Sequence, residues 1–285
     1  KHMDKVKQKL SFDQPSQEQI HKSHNEFDRS IASIENLTKE LFYEIFDYLD
    51  GCDLYEAFSN LNDHFQQLIS SSFTLFKIKY MRSRLEDVFL NNWKQIICFH
   101  RQQIYSISLY MSSHINEFFS SLFIINSSFN HLESLVLWEV KPVILMSIFV
   151  KLTSLPRLVS LTIDMFNILI DLTDTYRLIF ALPMLKYYKF SISDTDLSVS
   201  LPIAINEQQS SIEYLVIDHC CTFNELSTII SYTPKLRHLK FTHDLNDDIN
   251  IGTIPSMTLS NLTYLSIHLY NLTYDQFEIK NFMCY

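Results

Sequence analysis

The stretch Leu158-Val159-Ser160-Leu161-Thr162-Ile163 contains the apolar pattern that decides the fold. Its first, fourth and sixth residues are apolar, and the same arrangement occurs seven times between residues 104 and 267. The first positions of successive copies are 28, 26, 27, 27, 24 and 26 residues apart. These first positions are Ile104, Leu132, Leu158, Leu185, Ile212, Leu236 and Leu262.

A period in the twenties with this apolar spacing is the signature of leucine-rich repeats. Helical patterns lie between the short strands, at residues 115–125, 143–152, 175–182 and 223–232. Because one strand–helix unit cannot bury its apolar side alone, stacked units share a continuous core. We therefore predict an α/β fold in which residues 104–285 form an irregular leucine-rich-repeat solenoid of about seven repeats. Its parallel strands should line the concave face and its helices the convex face.

The end of the chain does not have the polar character of a solenoid cap. The last four residues, Phe282-Met283-Cys284-Tyr285, are mostly apolar, whereas solenoids normally close with a polar surface. We therefore expect that the natural chain continues beyond Tyr285, or that these residues are buried against a partner.

Composition and charge exclude several classes of function. The 285 residues include only two glycines, so a glycine-rich phosphate-binding loop is not expected. The net charge is -9, which argues against nucleic acid as a partner and favours a basic target surface. No apolar run approaches the roughly 20 residues of a membrane span. The five cysteines form no CxxC pair, which favours a reducing compartment, cytoplasmic or nuclear.

Motifs for catalysis and metal binding are also missing from the sequence. None of G-x-S-x-G, HExxH and H-x-E…PCxxC occurs, so we predict neither enzymatic activity nor a cofactor. His219 and His243 fall at the same offset in adjacent repeats, and Cys220 and Cys221 follow the first of them. These four residues lack the paired spacing of zinc ligands, so we predict no metal site.

The N-terminal third of the chain divides into three segments by composition. Residues 1–33 are polar and are predicted to be a tail. Residues 34–72 contain eight acidic residues and one basic residue, with apolar residues at helical spacing, which predicts three short helices. Residues 73–103 are predicted to be a helical linker that caps the solenoid.

The break between the first two of these helices is predicted at residues 50–53. Gly51 suits the left-handed conformation that often ends a helix. Asp53 followed by Glu56 is typical of a capping box, so the second helix is predicted to start at Asp53.

Residues 35–72 resemble an F-box. The matching residues are Leu37-Thr38-Lys39-Glu40-Leu41, Ile45-Phe46-Asp47-Tyr48-Leu49, Asp53-Leu54, Ala57-Phe58, Leu61-Asn62 and Phe65-Gln66-Gln67-Leu68-Ile69. Two positions depart from the family pattern, since Thr38 replaces a proline and Phe65 stands where many members have tryptophan. An F-box followed by leucine-rich repeats is a known arrangement.

The resemblance implies a substrate-recognition subunit of a cullin–RING ubiquitin ligase. The F-box would dock on a Skp-type adaptor, and through it on a cullin, while the repeats bind a target protein. Catalysis would lie in other subunits. The alternative is a leucine-rich-repeat scaffold that binds a protein, with a vestigial F-box and no ligase role, and Thr38 points in that direction.

The resemblance also assigns residues to roles. The adaptor-facing residues carried over by position are Leu37, Thr38, Glu40, Leu41, Ile45, Leu49 and Leu54. Phe58, Leu61 and Phe65 are expected in the core of the F-box itself.

Target binding is predicted on the strand residues that alternate with the buried apolar positions. Such residues face away from the core, which in a solenoid is the concave side. Tyrosine and tryptophan are enriched in binding hot spots. The predicted target-binding residues are Trp138, Tyr187, Lys189, Tyr214, His238 and Tyr264. The alternative is that these aromatic side chains only pack across neighbouring strands.

Overall fold

The computed structural model describes residues 34–80, 86–110, 126–165, 171–192, 198–205, 208–244 and 260–270. The chain divides into two compact units, residues 1–45 and 46–285. Within the described ranges the architecture is α/β, with eight parallel strands in one open sheet. The strands follow one another across the sheet in the order of the sequence.

In the described part of the chain, three α-helices precede the first strand, and four more lie between later strands. The α-helices are α1 (Lys39–Tyr48), α2 (Gly51–Phe58), α3 (Asp63–Ile69), α4 (Glu86–His100), α5 (Pro142–Leu152), α6 (Thr173–Phe180) and α7 (Phe223–Ser231). The strands are β1 (Phe76–Tyr80), β2 (Ile104–Tyr110), β3 (Ser134–Val140), β4 (Ser160–Met165), β5 (Tyr187–Ile192), β6 (Tyr214–Cys220), β7 (His238–Asp244) and β8 (Tyr264–Tyr270). The helices predicted at 143–152, 175–182 and 223–232 are confirmed, whereas residues 115–125 and the chain end at 271–285 lie outside the described residues.

The apolar positions of the sequence pattern lie in register across the sheet. The fourth position of each copy pairs with the fourth position of the next, namely Ile107, Leu135, Leu161, Tyr188, Leu215, Leu239 and Leu265. The first six of these side chains are at most 2% exposed, and Leu265 on β8 is 52% exposed. Each strand therefore extends the apolar core of the strand before it, as the spacing predicts.

The backbone repeats one pair of hydrogen bonds at the start of strands β4 to β8. The carbonyl oxygen of Val159, for example, accepts hydrogen bonds from the N–H groups of Lys186 and Tyr187, both at 2.9 Å. The equivalent acceptors for the five strands are the carbonyl groups of Glu133, Val159, Lys186, Glu213 and Arg237. Because these bonds join the entry of one strand to the entry of the next, they hold the register of the sheet.

Helices α6 and α7 pack on the side of the sheet that carries the apolar positions. The buried ring of Tyr176 in α6 meets Tyr188 and Phe190 of β5 edge to face, with centroids 6.5 and 6.1 Å apart. In α7, Phe223 meets Phe241 of β7 in the same way at 6.4 Å. The strand residues between the apolar positions face the opposite side, which we term the outer face of the sheet.

Strand β1 differs from the sequence prediction of a helical linker over residues 73–103. Phe76, Ile78 and Tyr80 are at most 4% exposed and alternate with lysines, a period of two that suits a strand. The run is only five residues long, so its alternation is a weak signal in the sequence alone. In the structure its pairing with β2 establishes it as a strand. Among the described residues of the segment, the α-helix is α4 in its later part.

Asp50 joins the start of α2 to the edge strand β1. Its Oδ1 atom accepts a hydrogen bond from the Cys52 N–H at 2.9 Å, and its Oδ2 atom accepts one from the Lys79 N–H at 2.5 Å. The second bond satisfies a backbone donor on a strand that has a neighbour on one side only. Because Asp50 is the cap, α2 begins at Gly51 rather than at the predicted Asp53, and Gly51 has no positive φ.

Gly51 also sits where a side chain would collide with β1. A Cβ atom there would lie 2.6 Å from Cδ1 of Ile78 and 3.0 Å from Cδ1 of Phe76. We expect Gly51→Ala to lower the free energy of unfolding by about 1–3 kcal/mol through overpacking, despite the better helix propensity of alanine. Urea denaturation measures the change.

The matched background for this test is Ile78→Val, which deletes the Cδ1 atom. Gly51→Ala should cost less there than in the parent chain. Equal costs in both backgrounds would contradict the contact between α2 and β1.

Candidate functional site

Helix α1 and the residue pair before it expose apolar side chains that lie on one side. Leu37, Leu41 and Ile45 are spaced four residues apart, and four-residue spacing aligns side chains along a helix. They are 37%, 43% and 36% exposed, respectively. The stripe is therefore partly accessible to solvent along its length.

Thr38 and Glu40 form the polar start of this helix, and both are exposed. The Thr38 carbonyl oxygen accepts the Phe42 N–H at 3.2 Å, which begins the helical hydrogen bonding. Hydrogen bonds from its own backbone N–H and from the Thr38 side chain lower the pKa of the Glu40 carboxyl. A proline at position 38 would not supply this hydroxyl, so Thr38 changes the local chemistry of the predicted adaptor surface.

The two remaining adaptor-facing residues, Leu49 and Leu54, are less accessible. Leu49 is half-buried, and Leu54 is only 2% exposed, on the buried side of α2. The Leu54 side chain therefore does not lie on the exposed side of α2. The sequence match could not show this, because in a helix as short as α2 the same leucine spacing suits either side.

The expected core residues of the same segment are also divided. The rings of Phe58 and Phe65 are buried and pack with centroids 5.2 Å apart, as predicted. Leu61 was expected beside them and is 58% exposed. Helix α2 ends at Phe58, and Asn62 caps the next helix by accepting the Phe65 N–H. Leu61 therefore lies in the intervening turn and faces outward.

On the outer face of the sheet, three predicted target-binding residues form a continuous stack. Tyr214, His238 and Tyr264 are Cα partners on strands β6, β7 and β8. Their rings are nearly parallel, with centroids 4.5 Å apart for the first pair and 5.5 Å for the second. Tyr214 remains 38% exposed and Tyr264 52% exposed. The aromatic stack thus packs across strands and still presents surface.

Two further predicted residues adjoin the aromatic stack on strand β5. Tyr187 is the Cα partner of Tyr214, and Lys189 lies two residues further along the same face. The ammonium group of Lys189 is 3.8 Å from the Asp218 carboxylate of β6. Five of the six predicted target-binding residues are therefore neighbours on strands β5 to β8.

Trp138 is not part of this group. It lies on β3 as the Cα partner of Tyr110, and β4 separates it from Tyr187. The pairing of β3 with β4 shifts after Leu137, and Glu139 takes a left-handed φ of 56° that is unusual for this residue type. This bulge interrupts the outer face beside Trp138, which the apolar spacing alone could not predict.

His219, which falls in the cluster considered for a metal, is instead held in the core. Its Nδ1 donates to the Cys220 carbonyl oxygen at 2.9 Å, since a carbonyl only accepts. Its Nε2 atom therefore accepts from the Tyr176 hydroxyl at 2.7 Å. Burial lowers the pKa of His219 to about 4 and raises the pKa of Tyr176. Both ring nitrogens are engaged, so this histidine serves the packing of α6 on β6.

The other residues of that cluster do not assemble a site either. The Nδ1 atom of His243 donates to the Cys221 carbonyl oxygen at 2.9 Å. In the part of the chain that the structure describes, no group of three His, Cys, Asp or Glu side chains is placed to hold a metal ion. No helix within the described ranges is long and apolar enough to cross a membrane.

Comparisons with known proteins add no assignment. No protein-family model matches the chain, and a search of curated proteins finds no match.

The buried tyrosines Tyr176 and Tyr188 provide a matched test of the His219 hydrogen bond. Tyr176→Phe leaves the buried Nε2 acceptor unpaired and should cost about 1–3 kcal/mol of unfolding free energy. The Tyr188 hydroxyl is buried with no hydrogen-bond partner among the described residues, so Tyr188→Phe should be neutral or stabilising. Thermal and urea denaturation measure the stability of both variants. Equal losses of unfolding free energy would contradict the hydrogen bond between Tyr176 and His219.

Stability should also depend on pH through His219. An unfolded histidine takes up a proton as the pH falls below about 6.5, whereas the folded chain resists protonation until about pH 4. The unfolded state therefore binds more protons in this window, and the folded state loses about 3 kcal/mol as the pH falls through it. Urea titrations at several pH values should show that His219→Gln loses less unfolding free energy than the parent chain as the pH falls. His238→Gln, on the outer face, is the control, and an identical slope in His219→Gln and the parent would refute the prediction.

Proposed function

We propose that this chain is the substrate-recognition subunit of a cullin–RING ubiquitin ligase. In this proposal, the F-box-like segment 34–72 docks on a Skp-type adaptor, which connects it to a cullin. The leucine-rich repeats bind the target protein through their strands. Ubiquitin transfer belongs, in this proposal, to the partner subunits.

The observation that carries the proposal is the exposed stripe of Leu37, Leu41 and Ile45. Water contacts three large aliphatic side chains there, and an unoccupied stripe of this kind is costly unless a partner covers it. The same three positions face the adaptor in the F-box pattern. An apolar helix side that enters a groove of a partner is a common mode of recognition.

The single parallel sheet supports the second half of the proposal. Sequential strands whose apolar positions recur at intervals of 24 to 28 residues are what a leucine-rich-repeat solenoid requires. Such an arrangement offers a wide outer surface of strand residues for a protein target.

The alternative proposal is a protein-binding scaffold that recruits no ligase. The burial of Leu54 favours it, because one residue of the expected adaptor surface is inaccessible. Both proposals assign target binding to the sheet, and they differ only in whether an adaptor binds.

Co-expression with a Skp-type adaptor, followed by size-exclusion chromatography, separates the two proposals. We expect the parent chain to co-elute with the adaptor and the variant Leu41→Asp/Ile45→Asp to elute alone, because two carboxylates in an apolar interface remain unpaired. Affinity should fall at least about 100-fold.

The matched control is Val143→Asp/Val150→Asp on α5, which places the same charges at two valines that are 83% and 65% exposed. It should still co-elute with the adaptor. A folded parent chain that never co-elutes would leave the scaffold as the function.

A further inference from the structure

We propose that the outer face of strands β5 to β8 binds an acidic peptide segment of the target protein. The inference names the chemistry of the target and in that sense rests on the proposed function. It also applies to the scaffold alternative, because both assign target binding to this sheet.

The first argument is the local balance of charge around the aromatic stack. Among the side chains that the structure describes on the outer face of β5 to β8 and at the entries of these strands, four are basic and two are acidic, namely Lys186, Lys189, Arg237, Lys240, Glu213 and Asp218. The whole chain has a net charge of -9, so the sign is reversed here. Charges beyond about 10 Å are largely screened at physiological salt, so a bound segment responds chiefly to this local excess.

The second argument is that both acidic residues already have basic partners. The Glu213 carboxylate lies 3.6 Å from Lys186 Nζ and 3.6 Å from Arg237 Nε. Asp218 pairs with Lys189 at 3.8 Å. Lys240 is exposed, and no carboxylate of the described residues pairs with it. An added carboxylate would therefore meet Lys240 without competing with an existing ion pair.

The third argument comes from the way in which the three rings lie. Because Tyr214, His238 and Tyr264 stack on one another, most of their faces are occupied and their edges point outward. The edge of an aromatic ring is its electropositive part, and tyrosine hydroxyl and imidazole N–H groups can donate hydrogen bonds there. This edge suits carboxylates. It does not suit nucleic acid bases, which need free ring faces for stacking.

Lys240 and the ring edges of the aromatic stack lie close enough on the sheet for one ligand to contact both. Lys240 follows His238 by two residues on β7, which places it about 7 Å further along the same face. Neighbouring strands are about 4.8 Å apart, so Tyr264 is one strand away. A carboxylate at Lys240 and a second contact at the ring edges fit a short stretch of one peptide.

The experiment selects binders from a random dodecapeptide display library on the purified full chain. Selected peptides should carry a net negative charge relative to the input library. A synthetic copy of the best peptide should bind Lys240→Glu at least about 10-fold more weakly by fluorescence anisotropy, and replacing its acidic residues with lysine should restore binding to that variant. Lys79→Glu is the matched control, because Lys79 is exposed on the same face but lies on β1 at the other edge of the sheet. It should bind as the parent does.

Several results would overturn the inference. These are the selection of neutral or basic peptides, no enrichment at all, an equal loss in Lys79→Glu, or equally tight binding of an oligothymidine with the same number of charges. Adaptor co-elution of Lys240→Glu is measured separately. If acidic peptides bind and the adaptor does not, the ligase proposal fails alone. If the adaptor binds and acidic peptides do not, this inference fails alone.

Discussion

The structure depends on one constraint, the pairing of each strand with the next at the same apolar position. A shift of one residue would turn Leu161 or Leu215 from the core to the outer face. The paired hydrogen bonds at each strand entry prevent such a shift, since the carbonyl group of Val159 or Glu213 holds two N–H groups of the next strand. The aromatic stack and the basic surroundings of the outer face exist only because this register holds.

The core contains two buried tyrosines whose hydroxyl groups differ in hydrogen bonding. The ring of Tyr176 packs between α6 and the sheet, and its hydroxyl donates a hydrogen bond to His219. His219 in turn remains neutral because burial disfavours its charged form. The neighbouring Tyr188 occupies a position that is leucine or isoleucine in the other six copies, and its buried hydroxyl shows that size and apolar area dominate there.

The helices at the N-terminal side differ from this core, because apolar side chains there remain exposed to solvent. Within residues 46–285, Asp50 ties α2 to β1, and Gln103 places its Nε2 atom within 3.0 Å of the carbonyl oxygens of Ile69, Ser71 and Thr74. These polar contacts hold the helical segment on the edge strand. Along α1, by contrast, Leu41 and Ile45 remain exposed.

The sequence alone determined the repeating strands and the helices after β3, because a period of two inside a period in the twenties leaves few other arrangements. It also determined which strand residues face outward, including Tyr214, His238 and Tyr264. It could not show the left-handed Glu139 and the bulge that follow Trp138 on β3. It missed β1, since five residues are too few for a pattern, and it did not show that Leu54 is buried. Only the tertiary structure decided which charges surround the aromatic stack, because the net charge of a chain does not show where on its surface the charged residues lie. The net charge favoured a basic partner. The register of β5 to β8, by contrast, places lysines on one face and leaves Lys240 exposed, which underlies the proposal of an acidic partner.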